Sequence, residues 1–215
     1  MSAPAADAFL CSTSAQLSRS RWPRAPHSLV DKIVAAAPAV LTKFEITTAK
    51  RLSHFLAQAS VECAGGTALE ENLNYSAERL HVVWPARFSS IGAAQPYAHN
   101  PRLLADRVYD GRMGNRPGTD DGWNYRGRGL IDLTGAAMYE RVGKACGLDL
   151  KATPDLASSP DSALAVAAAF WMLSDANRFA DRNEIRAETK VINGGLTGMA
   201  DREAWLKAWK RELGL

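Results

Sequence analysis

Cysteine is scarce in this chain and poorly placed for chemistry. Cys11, Cys63 and Cys146 are widely separated and odd in number, with no CxxC pair and no Cys/His ligand spacing. That excludes a disulfide framework and fits buried thiols in a reducing compartment. His27, His54, His81 and His99 show no metal spacing either, so neither a metal nor a cofactor is expected. No apolar run approaches the length of a membrane span, which argues against membrane insertion. The start of the chain lacks a basic region followed by a long apolar run, and Ala8 to Cys11 is too short for one. A protein made in the cytoplasm without a signal peptide is therefore expected, needing another route out if it acts outside. A dominant charge sign is missing too. The net charge is only +3 and no basic block interleaves with aromatics, so nucleic acid is not an expected partner. Strand signals are almost absent, and no internal repeat appears.

What remains is the composition of an ordinary globular protein, 47% hydrophobic and 23% charged. Its length suits one domain, or one domain with two lobes, and a monomer is expected. Residues 1–26, rich in Ala, Ser, Arg and Pro, suggest a loosely ordered start with one short helix near Ser14. Residues 27–215 suggest a single domain.

Helix signals dominate that domain. Ser28 can cap a helix to about Ala37, stopped by Pro38, with a further turn over Val40 to Phe44. Thr48 can cap a central helix. Ser76 can cap AERLHVVW, which ends before Pro85. Residues 86–99 suggest a loop, and Asn100-Pro101 opens RLLADRVY. Residues 110–129 form a long Gly-rich loop, a length that is usually functional or disordered. Trp123 and Tyr125 within it argue against disorder. Thr134-Gly135 precedes a helix to about Ala145, closed by Gly147. Ser159-Pro160 opens DSALAVAAAFWML, apolar nearly all round and so expected at the centre of the fold. Further helices are expected from Asp181 to Ile192 and from about Met199 to Leu213, with Trp205 and Trp209 as core residues.

The chemistry concentrates between Leu52 and Tyr75. Apolar residues recur at Leu52, Phe55, Leu56, Ala59 and Cys63, and Glu62 falls on that inward stripe. Gly65 and Gly66 end the helix, which puts Glu62 in its last turn, at the negative end of the dipole. Burial and dipole both disfavour a charged carboxylate there, as general acid catalysis requires. Glu70 and Glu71 follow in a more polar connector, where a carboxylate stays ionised. Two carboxyl groups in opposite environments are the mark of divided acid and base roles. The competing explanation for a buried helical Glu is a simple ion pair with arginine.

The blocks HFLAQASVECAGG, EENLNY and YRGRGLIDLTG, in this order, resemble glycoside hydrolase family 19, the chitinase-like enzymes, and in particular their bacteriophage endolysin branch. The resemblance runs from about Leu52 to Gly195. It implies a mainly α, lysozyme-like or chitinase-like domain with two lobes around a substrate cleft. It also implies a catalytic acid at Glu62, a catalytic base at Glu71, and a water-holding hydroxyl at Thr134. Substrate contacts are implied at Asn193, in KVINGG, and at Tyr125 and Arg126 beside the cleft. Gln58, one turn before Glu62, is a further candidate for orienting that acid or a sugar amide. The family usually has Gln where this chain has Asp132, and His where it has Val61.

Structural alternatives accompany several of these positions. Thr134 precedes a helix and could be its N-cap. Asn193 before Gly194 could be a helix terminus and no more. Glu70 competes with Glu71 for the base role. The Arg-Gly-Arg-Gly run could suggest RNA, but one copy is weak evidence. The expected partner is the glycan strand of bacterial peptidoglycan, cut at β-1,4 bonds with inversion, as the resemblance implies. Inversion requires the two carboxyl groups to stand roughly 6.5–9.5 Å apart. A chitinase, a lytic transglycosylase and a non-catalytic cell-wall glycan-binding protein are the alternatives.

Overall fold

The structure is a computed structural model that describes residues 20–215. Cys11 and the short helix expected near Ser14 lie outside the described residues. Of the expected loose start, residues 20–26 are described, and they are anchored. Trp22 and Ala25 are buried, and the Trp22 indole donates to Ser60 Oγ at 2.9 Å.

Eleven α-helices are formed among the described residues: α1 (His27–Lys43), α2 (Ala49–Glu62), α3 (Ala77–Val83), α4 (Ile91–Ala94), α5 (Pro101–Tyr109), α6 (Asp121–Asn124), α7 (Ala136–Cys146), α8 (Ala163–Leu173), α9 (Ala176–Asp181), α10 (Ile185–Asn193) and α11 (Met199–Glu212). Short 3-10 turns occur at Gln95–Tyr97 and Pro154–Ala157. The described residues hold no strand, only isolated bridges at Glu70–Arg128 and Arg128–Leu133. No helix among them is long and apolar enough to cross a membrane.

Two apolar cores divide the molecule into lobes. The larger core is centred on α8, whose buried residues cover almost every face. Helices α1 and α7 pack on α8, while α2 lies along α11. The Phe55 ring of α2 meets Trp171 of α8 edge-on at 5.5 Å. The smaller core collects Leu73, Leu80, Phe88, Leu104 and Val108 from α3, α5 and their connectors. The chain crosses from the large lobe to the small one through residues 63–72 and returns through 124–135. Both crossings border the cleft.

The caps expected from sequence form at three helices. Thr48 accepts from Arg51 N at 3.1 Å, Ser76 from Arg79 N at 3.3 Å and Asn100 from Leu103 N at 3.2 Å. Four expectations are corrected. Helix α1 runs on through Pro38, because its buried stripe of Leu29, Val30, Ile33, Ala37 and Leu41 continues across that residue. An interior proline costs about 3 kcal/mol, and burying each large apolar residue offsets about 1.5–3 kcal/mol of that. Residues 86–99 are not all loop, since they hold α4 and a 3-10 turn. The long 110–129 loop contains the helical turn α6. The helix expected from Asp181 to Ile192 starts later, at Ile185 as α10, because Asp181 ends the separate helix α9 and Asn183 takes a positive φ of 60° between them.

Candidate active site

Glu62 is the last residue of α2. The chain then turns sharply, with Ala64, Gly65 and Gly66 at φ values of 48°, 63° and 80°. Glycine is required at position 66, where a Cβ would lie 2.7 Å from that of Ala25. Cys63 beside it is fully buried, and desolvation pushes its thiol up to about 12, so it is inert packing. The turn presents the Glu62 carboxyl to a cavity of about 450 Å³.

The ion pair weighed against catalysis is present, but it is partial. Arg202 of α11 donates from Nη2 to Glu62 Oε1 at 2.6 Å. Its other nitrogens go elsewhere: Nη1 to Gln58 Oε1, and Nε to the Thr197 carbonyl at 3.1 Å. Gln58 Nε2 in turn donates to Glu188 Oε1 at 2.8 Å and Thr189 Oγ1 at 3.0 Å. Glu188 Oε2 is 2.7 Å from His54 Nδ1, and His54 Nε2 is 3.0 Å from Asn183 Oδ1. His54, Gln58, Glu188 and Thr189 are completely buried. A polar chain thus runs from α10 beneath α2 to the acid, with each member satisfied. Glu62 Oε2 accepts no hydrogen bond among the described residues and is free to work in the cavity. The expectation of an acid shaped by burial and dipole alone is therefore incomplete, because a guanidinium stands beside it.

Glu70 and Glu71 are adjacent in an extended segment, so their side chains point to opposite sides. Glu70 turns towards Arg126, which donates at 2.6 Å, and Ser158, which donates at 3.2 Å. Partial burial opposes its charge, yet these donors and the nearby Arg128 hold its carboxyl below the usual range. Glu71 turns the other way. Tyr109 at the end of α5 donates to its Oε1 at 2.6 Å, and Gly127 N donates to its Oε2 at 3.3 Å. The Glu71 backbone also donates to the Gly127 carbonyl at 3.0 Å. Burial and the Glu71 charge both push the Tyr109 hydroxyl upward, so it stays a donor.

A third carboxyl, Asp132, lies within electrostatic reach of Glu62 and Glu71. It sits on the tight loop closed by the Arg128–Leu133 backbone pair and has a positive φ of 53°. Its carboxylate presses on Gly127, where a Cβ would come within 2.1 Å of Oδ1. Asp132 as a residue is solvent-exposed, while its carboxyl is crowded by protein groups on most sides. That desolvation, then the charges of Glu71 and Glu62, push it up to about 7.

Thr134 lines the cavity with Glu62 and Asp132. Its hydroxyl donates to the Asp132 carbonyl at 2.8 Å, and α7 begins after Gly135 with no side-chain cap. The N-cap alternative for Thr134 is therefore set aside. Asn193 ends α10 and lines the same cavity, as do Met113, Met138, Phe170 and Arg141. Among the described residues, no group of three or more His, Cys, Asp or Glu could hold a metal ion.

The family model for class I chitinases of glycoside hydrolase family 19 matches residues 30–191. The chain belongs to glycoside hydrolase family 19. A glycosyl hydrolase family 19 domain-containing protein of Haemophilus influenzae is 34% identical over 178 residues, covering 82% of this chain and 86% of that protein. Endochitinase 2 of Gossypium hirsutum is 33% identical over 145 residues, 66% of this chain and 42% of that protein. Among solved structures, chitinase C from Streptomyces griseus HUT6037 superposes with a TM-score of 0.60 at 18% identity, over 96% of this chain and 93% of that one. A class IV chitinase from Zea mays gives 0.55 at 18% identity, over 97% and 92%. The fold is thus the chitinase-like α-helical one expected from sequence, and the protein is a glycosidase.

Three of the residues expected to contact substrate in this family 19 enzyme are placed elsewhere. Gln58 is fully buried and reaches Glu62 only through Arg202. It can orient the acid but cannot touch a sugar. Tyr125 is buried against Tyr139, with its hydroxyl 3.2 Å from the Lys151 carbonyl. Arg126 is buried too, stacked on Trp123 and paired with Glu70. Their block is conformational: it carries Gly127 and the loop to Asp132. Arg202, Glu188 and Tyr109 are partners in the site that local sequence patterns do not reveal. The available clue was polar residues on buried helix stripes, at His54, Gln58 and Glu188.

Proposed function

We propose that this glycosidase cuts β-1,4 bonds in the glycan strand of bacterial peptidoglycan, with inversion, by a two-carboxylate acid/base mechanism. The observation that carries this reading is Asp132, which lines the cavity with Glu62 and Thr134 and whose proton affinity is raised by desolvation and then by the charges of Glu71 and Glu62. Both glutamates therefore lie within electrostatic reach of one carboxyl at the cavity. Glu62 protonates the leaving oxygen from the free side of its carboxyl. Arg202 stabilises the carboxylate left behind. Glu71, held by Tyr109 and Gly127 N, takes a proton from the water that attacks the anomeric carbon from the other face. Thr134 steadies that water, and Asn193 holds a sugar along the cavity. Glu70 is excluded as base by its arginine partners.

Two features favour a peptidoglycan substrate over plain chitin. The sequence blocks resemble the endolysin branch of the family. Arg141 lines the cavity and makes no ion pair or hydrogen bond among the described residues. An unpaired guanidinium in a sugar groove suits a strand bearing the carboxylates of stem peptides. Chitin carries none, although the cotton relative is named an endochitinase. The enzyme then acts as a monomer on the wall after release from the cytoplasm in which it is made.

Mass spectrometry of digested peptidoglycan, with chitin alongside, tests this. The expected products are reducing-end glycan fragments from peptidoglycan. Anhydro ends would identify a lytic transglycosylase instead, and release from chitin alone would identify a chitinase.

A further inference from the structure

We propose that Asp132 holds the attacking water together with Glu71 and Thr134, which makes it a third member of the base side of the site. The inference rests on the acid/base reading above and adds a member to it. The geometry comes first. Asp132 lines the cavity that contains Glu62 and Thr134. Its carboxylate lies over Gly127, at a place that any Cβ there would occupy. The N–H of that same Gly127 donates to Glu71. The Asp132 carbonyl takes the Thr134 proton, so the Thr134 oxygen faces the cavity as an acceptor. The loop therefore brings one carboxyl group and an acceptor hydroxyl to the cavity wall, next to the backbone N–H that holds Glu71. Asp132 does so from a left-handed backbone conformation that L-residues adopt at a cost.

The assignment of hydrogen bonds follows from what each group can do. Glu71 already receives two donors, one on each carboxyl oxygen, and so is placed as the acceptor of the pair. Asp132 receives no donor among the described residues and faces two other carboxylates, so it keeps its proton until about neutral pH. Protonated Asp132 donates to the water oxygen. The water donates one proton to Glu71 and the other to Thr134 Oγ1. One lone pair remains for the anomeric carbon. In the reaction the water oxygen–carbon bond forms and the bond to the leaving oxygen breaks. The water proton passes to Glu71, and the Glu62 proton passes to the leaving oxygen. Asp132 keeps its own proton throughout.

The prediction concerns pH. The groups facing Asp132 are Glu71, Glu62, Tyr109 and Tyr139, with Arg141 on the cavity wall and Arg202 behind Glu62. Once Asp132 ionises it can no longer donate to the water, so wild-type kcat falls across about pH 6 to 8, one unit either side of that titration. Asp132→Asn keeps a donor and cannot titrate, and Asn tolerates a positive φ well. The experiment measures kcat against pH for wild type, Asp132→Asn, Asp132→Ala and Glu71→Gln on solubilised peptidoglycan, with circular dichroism as the folding control. The expected result is a flat Asp132→Asn profile where the wild type falls severalfold, and an Asp132→Ala variant that is slow at every pH. A profile of Asp132→Asn that superposes on wild type overturns the proposal. So do equal losses in Asn and Ala variants without a change of profile, which mark a structural role. Glu71→Gln separates the two levels: if it stays active, the acid/base reading itself is wrong.

Discussion

The two walls of the cleft hold their carboxylates by different means. On the large-lobe side, Glu62 ends a fourteen-residue helix and is braced from beneath by Arg202, Gln58, Glu188 and His54, all but inaccessible to water. On the small-lobe side, Glu71 lies in an extended connector, held by one tyrosine hydroxyl and one backbone N–H. The first arrangement places a cation beside a group that becomes an anion when it gives up its proton. The second offers only neutral donors, which orient a carboxylate without cancelling its charge. An acid and a base need that asymmetry.

Breaking either wall tests the comparison. The largest effects are expected for Glu62→Gln and Glu71→Gln, each lowering kcat by about 10²–10⁴-fold with the fold intact, measured as reducing ends released from purified walls. Glu70→Gln should stay within a few-fold of wild type; a loss equal to that of Glu71→Gln would transfer the base to Glu70. Arg202→Met should strike the large-lobe wall alone. It strands Glu62 and Gln58 at a buried site, costing about 3–5 kcal/mol in chemical denaturation. An unchanged unfolding midpoint would show that the buried chain is not what holds α2 and α11 together. On the other wall, Tyr109→Phe removes one hydrogen bond to a charged group. That is worth about 1.5–3 kcal/mol of stability, less than the cost of Arg202→Met, and it frees the Glu71 carboxyl to rotate, so kcat should drop roughly tenfold. A stability loss as large as that of Arg202→Met would erase the distinction between the walls.

The smallest effect concerns stability against pH. The Asp132 carboxyl is raised to about 7 in the folded protein by burial, Glu71 and Glu62, against about 3.9 in an unfolded chain. The native state therefore binds this proton more tightly, and stability falls as pH rises through that window. Asp132→Asn removes the penalty. Its Tm advantage over wild type should grow from acidic to mildly alkaline pH, and an advantage independent of pH would contradict the titration.

Much of this was legible in the chain. The caps at Thr48, Ser76 and Asn100 are local, as is the Gly65-Gly66 stop, so short-range patterns reveal them. The apolar periodicity of α8 identified the centre of the large core. Other features were hidden because they join distant segments. Arg202 lies 140 residues from Glu62, and Tyr109 lies 38 residues from Glu71. Tyr125 and Arg126 stand beside the site in sequence, yet packing turns both side chains into the protein. Proximity along the chain does not say which way a loop residue faces.

By itself the sequence determined that the protein is helical, where most helices begin, and that a carboxylate would stand at the end of α2. Those outcomes depend on the periodicity of side chains and on backbone preferences a few residues long. Only the tertiary structure decided which of two adjacent glutamates pairs with arginine and which meets Tyr109, which arginine meets Glu62, and that Asp132 lies within electrostatic reach of Glu62 and Glu71. Desolvation and Coulomb interactions act between groups that are close in space, and folding alone sets those distances.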